Sequence, residues 1–400
     1  MITPFTSAPH RMFFFGGVVQ SLLSILWWLA DLGGRYGGFY PALSWPLPPI
    51  DIHAFLMIYG FFSFFMFGFL MTTFPRWMNG EEVAPRHYIP AFWLMATGLL
   101  IFYAGLFAGK IWLNAGLAIY LTGWGTALFA LLRVYLRARH PDKLHAAITS
   151  TNLALGGMLA TAFFSDNEWL IRLAKTGGVW LFLLPVFFAV SFRMIPFFSS
   201  TVIPQYQIVR PPKALYLMLA GCAAHTGLEL FDLSAWLWLA DVPMAVTALY
   251  LGWQWQLRKS LSAPLLAMLH IGFAWLGVAL LLFALQSLTL LLDGQLLFAK
   301  APLHALTIGY FGSMMLAMVT RVTLGHSGKP LAADRLTWNL FLMFQSIVVL
   351  RIAAEIPGLP FAPRGWLYLS TAALWLICFG IWSARYAMVY WRPRTDGKPG

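Results

Sequence analysis

The chain has 400 residues, 60% of them hydrophobic and only 10% charged, and its mean hydropathy is +0.73. A soluble domain carries about 25% charged residues, so the composition excludes a water-soluble fold and leaves a polytopic membrane protein in contact with the lipid bilayer. The net charge of +12 belongs in such a chain to cytoplasmic loops, and no nucleic-acid partner is expected.

A membrane-crossing helix takes about 20 mostly apolar residues. Twelve stretches qualify: 12–30, 52–74, 88–108, 111–132, 145–164, 176–199, 213–231, 235–252, 263–286, 304–324, 336–354 and 365–390. The linkers are short and rich in Pro, Gly and charge, as at Pro141-Asp142-Lys143. The expected fold is therefore an all-α integral membrane bundle of about twelve transmembrane helices, one membrane domain over 1–400. His10-Arg11 leads straight into the first stretch, which is too long for a signal-peptide core and reads as an uncleaved helix. With the N-terminus inside, nineteen Lys and Arg fall on the cytoplasmic side and seven outside, so both termini are expected in the cytoplasm. Cys222 and Cys378 sit in apolar runs and no Cys-x-x-Cys is present, which removes a disulfide framework, a zinc ribbon and covalently attached haem.

Stretches 2 and 10 open alike, with His53-Ala-Phe and His304-Ala-Leu, continue through Gly/Phe-rich turns and end at Arg76 and Arg321. Stretch 6 ends similarly at Arg193. This spacing of four helices points to three four-helix pseudo-repeats; the alternative is that inner helix ends simply attract arginine.

Ionisable groups at membrane depth are costly and are functional candidates by default. His53 and His304 both open helices that run inward, at similar depth. Two imidazoles so placed can ligate a b-type haem, although helix-start histidines also serve as caps. His225 shares a helix face with Cys222 and Glu229, a stripe open to copper, to a proton relay or to an interhelical hydrogen bond. His270 lies inside stretch 9 beside Gly272, Asp241 inside stretch 8. Arg351 has Glu355 at i+4 for an ion pair and is otherwise a fork for a haem propionate.

Several runs resemble one family. They are His304-Ala-Leu-Thr-Ile-Gly309, Met318-Val-Thr-Arg321 continuing to His326-Ser-Gly328, Pro9-His10-Arg11 with the phenylalanines after it, Arg193-Met-Ile-Pro196 with Phe197 and Phe198, and Leu269-His270-Ile-Gly272. This set is similar to the signature of the NnrS family, spread from the first stretch to the tenth. The resemblance implies a haem- and copper-containing bacterial inner-membrane protein linked to nitric oxide metabolism, denitrification and protection from nitrosative stress. Nitric oxide or a nitrosyl-iron species would be its ligand. It strengthens the reading of His53 and His304 as haem b ligands, beside His270 and Arg351 as further cofactor candidates and His53, His304 and His225 as the metal candidates. The motif residues His10, Arg11, Arg76, Arg193, Arg321 and His326 mark the remainder of the signature.

The family's second helix usually opens His-x-His-Glu, whereas here Phe55 and Leu56 follow His53; that departure bears on copper more than on haem. The layout also invites comparison with the haem–copper oxidase main subunit. No His-x-His in stretch 10 and no histidine in stretch 6 is present, so an oxidase-type copper–haem centre cannot be built the same way. The competing expectation is a secondary transporter of a metal, haem or a small anion. Whether the protein is an enzyme, and its oligomeric state, are open at this level.

Overall fold

A computed structural model describes residues 3–357 and 363–397; Lys398, one of the nineteen inner-side charges, lies outside the described residues. Twelve helices follow the twelve stretches. They are α1 (Pro9–Arg35), α2 (Pro49–Met78), α3 (Pro85–Ala108), α4 (Lys110–Arg137), α5 (Leu144–Phe164), α6 (Glu168–Ser200), α7 (Pro212–Leu230), α8 (Ser234–Gln254), α9 (Pro264–Asp293), α10 (Ala301–Ser327), α11 (Arg335–Ala353) and α12 (Arg364–Trp391). No strand occurs among the described residues. Eleven of the twelve are long and apolar enough to cross a membrane. The exception is α7, whose 19 residues include Lys213, His225 and Glu229. The protein is thus a multi-pass membrane protein with an all-helical architecture.

Local chemistry sets the helix ends. Proline opens α1, α2, α3, α7 and α9 at Pro9, Pro49, Pro85, Pro212 and Pro264, where its missing N–H costs nothing and its fixed φ suits the first turn. Asp334 caps α11 by accepting the Thr337 amide at 2.9 Å, which satisfies one of the orphan N–H groups there.

The chain divides into two compact units, one of residues 1–186, 322–329 and 379–400, the other of 187–321 and 330–378. In the first, α3 and α4 form a hairpin through Gly109 and pack backbone to backbone. A Cβ on Gly98 would collide with the backbone nitrogen of Tyr120, and one on Gly116 with that of Phe102. Without a hydrophobic force between helices in lipid, such small-residue faces are what permit close dispersion contact. In the second unit α8 packs on α9, α7 on α8, and α9 on the first half of α10.

Helices α2, α6 and α10 share an irregularity. Each contains a π-helical segment, at Phe55–Phe61, Gly178–Leu183 and Ala305–Gly312, set roughly four helices apart. These are the helices whose ends the sequence pairs through arginine, so the fourfold-helix periodicity extends to a backbone feature that is rare in itself and frequent at functional sites. Widening a turn loosens the carbonyl ladder, and tyrosines occupy the space. Tyr59 donates to the Ala174 carbonyl at 2.7 Å and Tyr120 donates to the Tyr59 carbonyl at 2.6 Å. In the second unit the Tyr310 and Ser191 hydroxyls are 3.0 Å apart.

Candidate functional site

The histidine that opens α2 sits in a built aromatic and ionic cluster of the first unit. His53 stacks on Trp28 of α1, with ring centroids 4.1 Å apart and planes 18° from parallel. The Arg35 guanidinium lies 5.1 Å from the Trp28 ring, and Arg35 Nε donates to the fully buried Asp31 carboxylate at 2.6 Å. Trp45 donates its indole N–H to the same carboxylate at 2.9 Å. Two residues before His53, Asp51 pairs with Lys175 of α6 at 2.6 Å. Stacking occupies a face of the imidazole and leaves its in-plane nitrogen chemistry intact.

His304 opens α10 in the second unit, one residue before the π-helical segment. Its Nδ1 is 2.8 Å from the Lys300 carbonyl oxygen. A carbonyl only accepts, so Nδ1 carries the hydrogen and, in the neutral ring, Nε2 carries the lone pair. A backbone carbonyl fixing the far nitrogen is how metal-ligating histidines are commonly oriented. The donor set at His304 therefore fits a haem ligand. His53 and His304 belong to different units.

His270, 2% exposed, has its Nε2 2.9 Å from the Ser199 hydroxyl. Its neighbour Gly272 lets α9 approach α10 closely, since a Cβ there would lie 3.1 Å from the Met314 amide nitrogen. Arg351 meets Glu355 at 2.6 Å, and Tyr368 donates to the same carboxylate oxygen at 3.0 Å. The carboxylate facing Arg351 thus comes from its own helix end.

His225 carries an ionisable pair with both partners inside the helices. Its Nδ1 is 2.6 Å from Asp241 Oδ1 across the α7–α8 hairpin, and both side chains are fully buried. Its Nε2 is 3.4 Å from Glu229, one turn on and 35% exposed. A continuous line of proton-bearing groups therefore leads from buried Asp241 to half-buried Glu229. Cys222 shares the helix, but among the described residues no group of three or more His, Cys, Asp or Glu is arranged to hold a metal ion. The residues present do not fit a copper site of that kind.

The motif arginines have unlike surroundings. Arg76 is exposed, Arg193 offers its carbonyl to Arg210, and buried Arg321 lies 3.9 Å over the Phe198 ring. His10 and His326 come together, their ring centroids 4.6 Å apart.

The signature runs thus converge in space at several points, and residues 4–394 match the NnrS protein family model. The chain belongs to the NnrS family. No curated protein matches it. In this NnrS-family chain the structure adds residues that sequence reasoning passed over. Asp31 was hidden because α1 runs past residue 30. Gln345 joins α11 to α9 and α10, accepting from the Trp275 indole at 2.8 Å and donating to Ser313 at 3.1 Å. A glutamine inside an apolar helix is a signal that a search limited to ionisable groups does not register.

Proposed function

We propose that the protein is a haem-binding member of the NnrS family that acts in nitric oxide metabolism or in protection from nitrosative stress. It would reside in the bacterial inner membrane with both termini in the cytoplasm. Family membership supports the reading, and the observation that carries it is His304, whose tautomer is set by the Lys300 carbonyl at 2.8 Å. His304 and His53 are the ligand candidates. Haem iron, when bound, supplies a site for a diatomic ligand such as nitric oxide. The chain's own part is to orient the imidazole through Lys300, to hold charge near His53 through Arg35 and Asp31, and to keep water from the buried helix interior. The excess of Lys and Arg on one side supports the orientation.

The test is the absorption spectrum of the detergent-purified protein, oxidised, reduced and exposed to nitric oxide, with iron and copper counted on the same sample. A b-type spectrum that shifts with nitric oxide and is altered by His304→Ala is expected. A colourless protein without stoichiometric iron overturns the proposal. It would favour a proton-coupled secondary transporter, the reading to which the buried His225–Asp241 pair lends support.

A further inference from the structure

The hairpin of α7 and α8 carries a second site, wholly within the second unit. Glu229 is the penultimate residue of α7, and the turn that follows leads through exposed Asp232 and Trp236 to Trp238. Tryptophans and charge together mark the level where lipid meets water, so the Glu229 side chain, 35% exposed, is within reach of solvent. His225 sits one turn deeper, about 6 Å along the axis, and Asp241, near the start of α8, comes level with it.

Both deeper side chains are fully buried. His225 Nδ1 is 2.6 Å from Asp241 Oδ1 on one edge of the ring, and Nε2 is 3.4 Å from Glu229 Oε2 on the other. Phe283 of α9 packs edge-to-face on the imidazole, centroids 5.2 Å apart, and leaves the two nitrogens to the two acids. The second Asp241 oxygen, Oδ2, is buried without a hydrogen-bond partner among the described residues. A carboxylate half satisfied in this way depends on positive charge at its other oxygen.

The helices around it carry no fixed cation to supply that charge. Residues 214–257 contain no Lys or Arg, and neither does α9; Lys213, Arg258 and Lys259 belong to the opposite end of the hairpin. The other ionisable groups of these elements are Cys222, one turn below His225, exposed Asp232 in the turn, and on α9 His270, which faces Ser199, and exposed Asp293. The positive charge between the two acids is therefore a proton on the imidazole itself. The carboxylates meet opposite ring nitrogens, and among the described residues no three such groups surround a metal position; a proton needs only the pairwise contacts. Transfer takes about 2.6–3.2 Å or one bridging water, which the partly exposed Glu229 side chain reaches by a small rotation.

We propose that His225 is a proton-exchange site, with Glu229 relaying a proton between solvent and Nε2 and Asp241 holding the loaded ring through Nδ1. On loading, the Glu229 O–H bond breaks, the Nε2–H bond forms, and Glu229 is left as a carboxylate. On release the same proton returns through Glu229 to water. The site requires no haem and stands or falls apart from the haem reading above.

The experiment uses the full chain in lipid nanodiscs with ring-nitrogen-labelled histidine, followed by NMR, and His225→Gln identifies the ring signal. The expected Nε2 signal moves reversibly, by one proton, between acid and alkaline buffer. Its proton exchange with water slows about a hundredfold in Glu229→Gln, with the unfolding midpoint kept. Glu229→Asp, which keeps the acid but draws it back, should slow exchange less, and guards against the case in which Glu229→Gln fails to fold. An Nε2 signal fixed across the pH range, or an exchange rate indifferent to both variants, overturns the proposal and leaves the pair a static tie between helices. So does stoichiometric zinc binding that His225→Gln abolishes.

Discussion

The His225–Asp241 pair permits a quantitative test, because its charge state decides the size of the effect. The two side chains are fully buried and 2.6 Å apart. Hydrogen bonds between neutral groups inside membrane proteins contribute about 0.6 kcal/mol, at most about 1.7. Removing one partner of a buried ion pair costs roughly 3–5 kcal/mol, because the other charge is stranded. Replacing both by apolar residues of similar size is close to neutral. The short separation argues for the charged case, against the desolvation that opposes it. Asp241→Leu is therefore expected to destabilise by about 3–5 kcal/mol, and His225→Leu somewhat less, since it also releases Glu229, 3.4 Å away, to solvent. The double variant should recover most of the loss. The assay is reversible unfolding in mixed micelles, analysed as a double-mutant cycle. A cost below about 1.7 kcal/mol for Asp241→Leu, or a double variant as unstable as the sum of the singles, refutes the charged assignment.

Two further outcomes follow from packing. Gly116→Leu should separate α3 from α4, because the atoms in the way are backbone and cannot rotate aside; a loss of about 3 kcal/mol or more should be read as a lowered unfolding midpoint, and an unchanged midpoint would contradict the close approach. Tyr59→Phe removes a 2.7 Å bond to the Ala174 carbonyl. That carbonyl also receives the Gly178 amide, so it is not orphaned and the cost should stay near 1 kcal/mol. A loss several times larger in the same unfolding assay would mean that the tyrosine holds the π-helical segment itself.

The helices were legible because lipid imposes a single rule, that long apolar runs must be helical to satisfy their own backbone. All twelve stretches became helices, and even α7, too polar to qualify on hydropathy, was recovered. The His225–Asp241 contact was half legible. Both residues stood out as ionisable, and they lie nearly equidistant from the turn near residue 232, so an antiparallel hairpin brings them level. The environment of His53 was not legible, since stacking on Trp28 depends on how α1 and α2 rotate about their axes, which hydropathy does not encode. The π-helical segments were invisible for a similar reason. A widened turn changes hydrogen-bond spacing without changing composition, and only the recurrence of His, Gly and Arg in α2 and α10 hinted that these helices were alike.

Those segments carry a consequence for how the chain tolerates change in length. A π-helical turn holds the equivalent of one surplus residue within an otherwise α-helical rod. Deleting a single residue inside Phe55–Phe61 or Ala305–Gly312 would let the rod relax to regular α-helix and keep the azimuth of the part beyond it. The same deletion elsewhere in α2 or α10 would rotate everything downstream by about 100° and turn the buried face toward lipid. The π-helical segments are thus the places in these helices where chain length can drift by one without scrambling the interior, and the chain has three of them among its described residues.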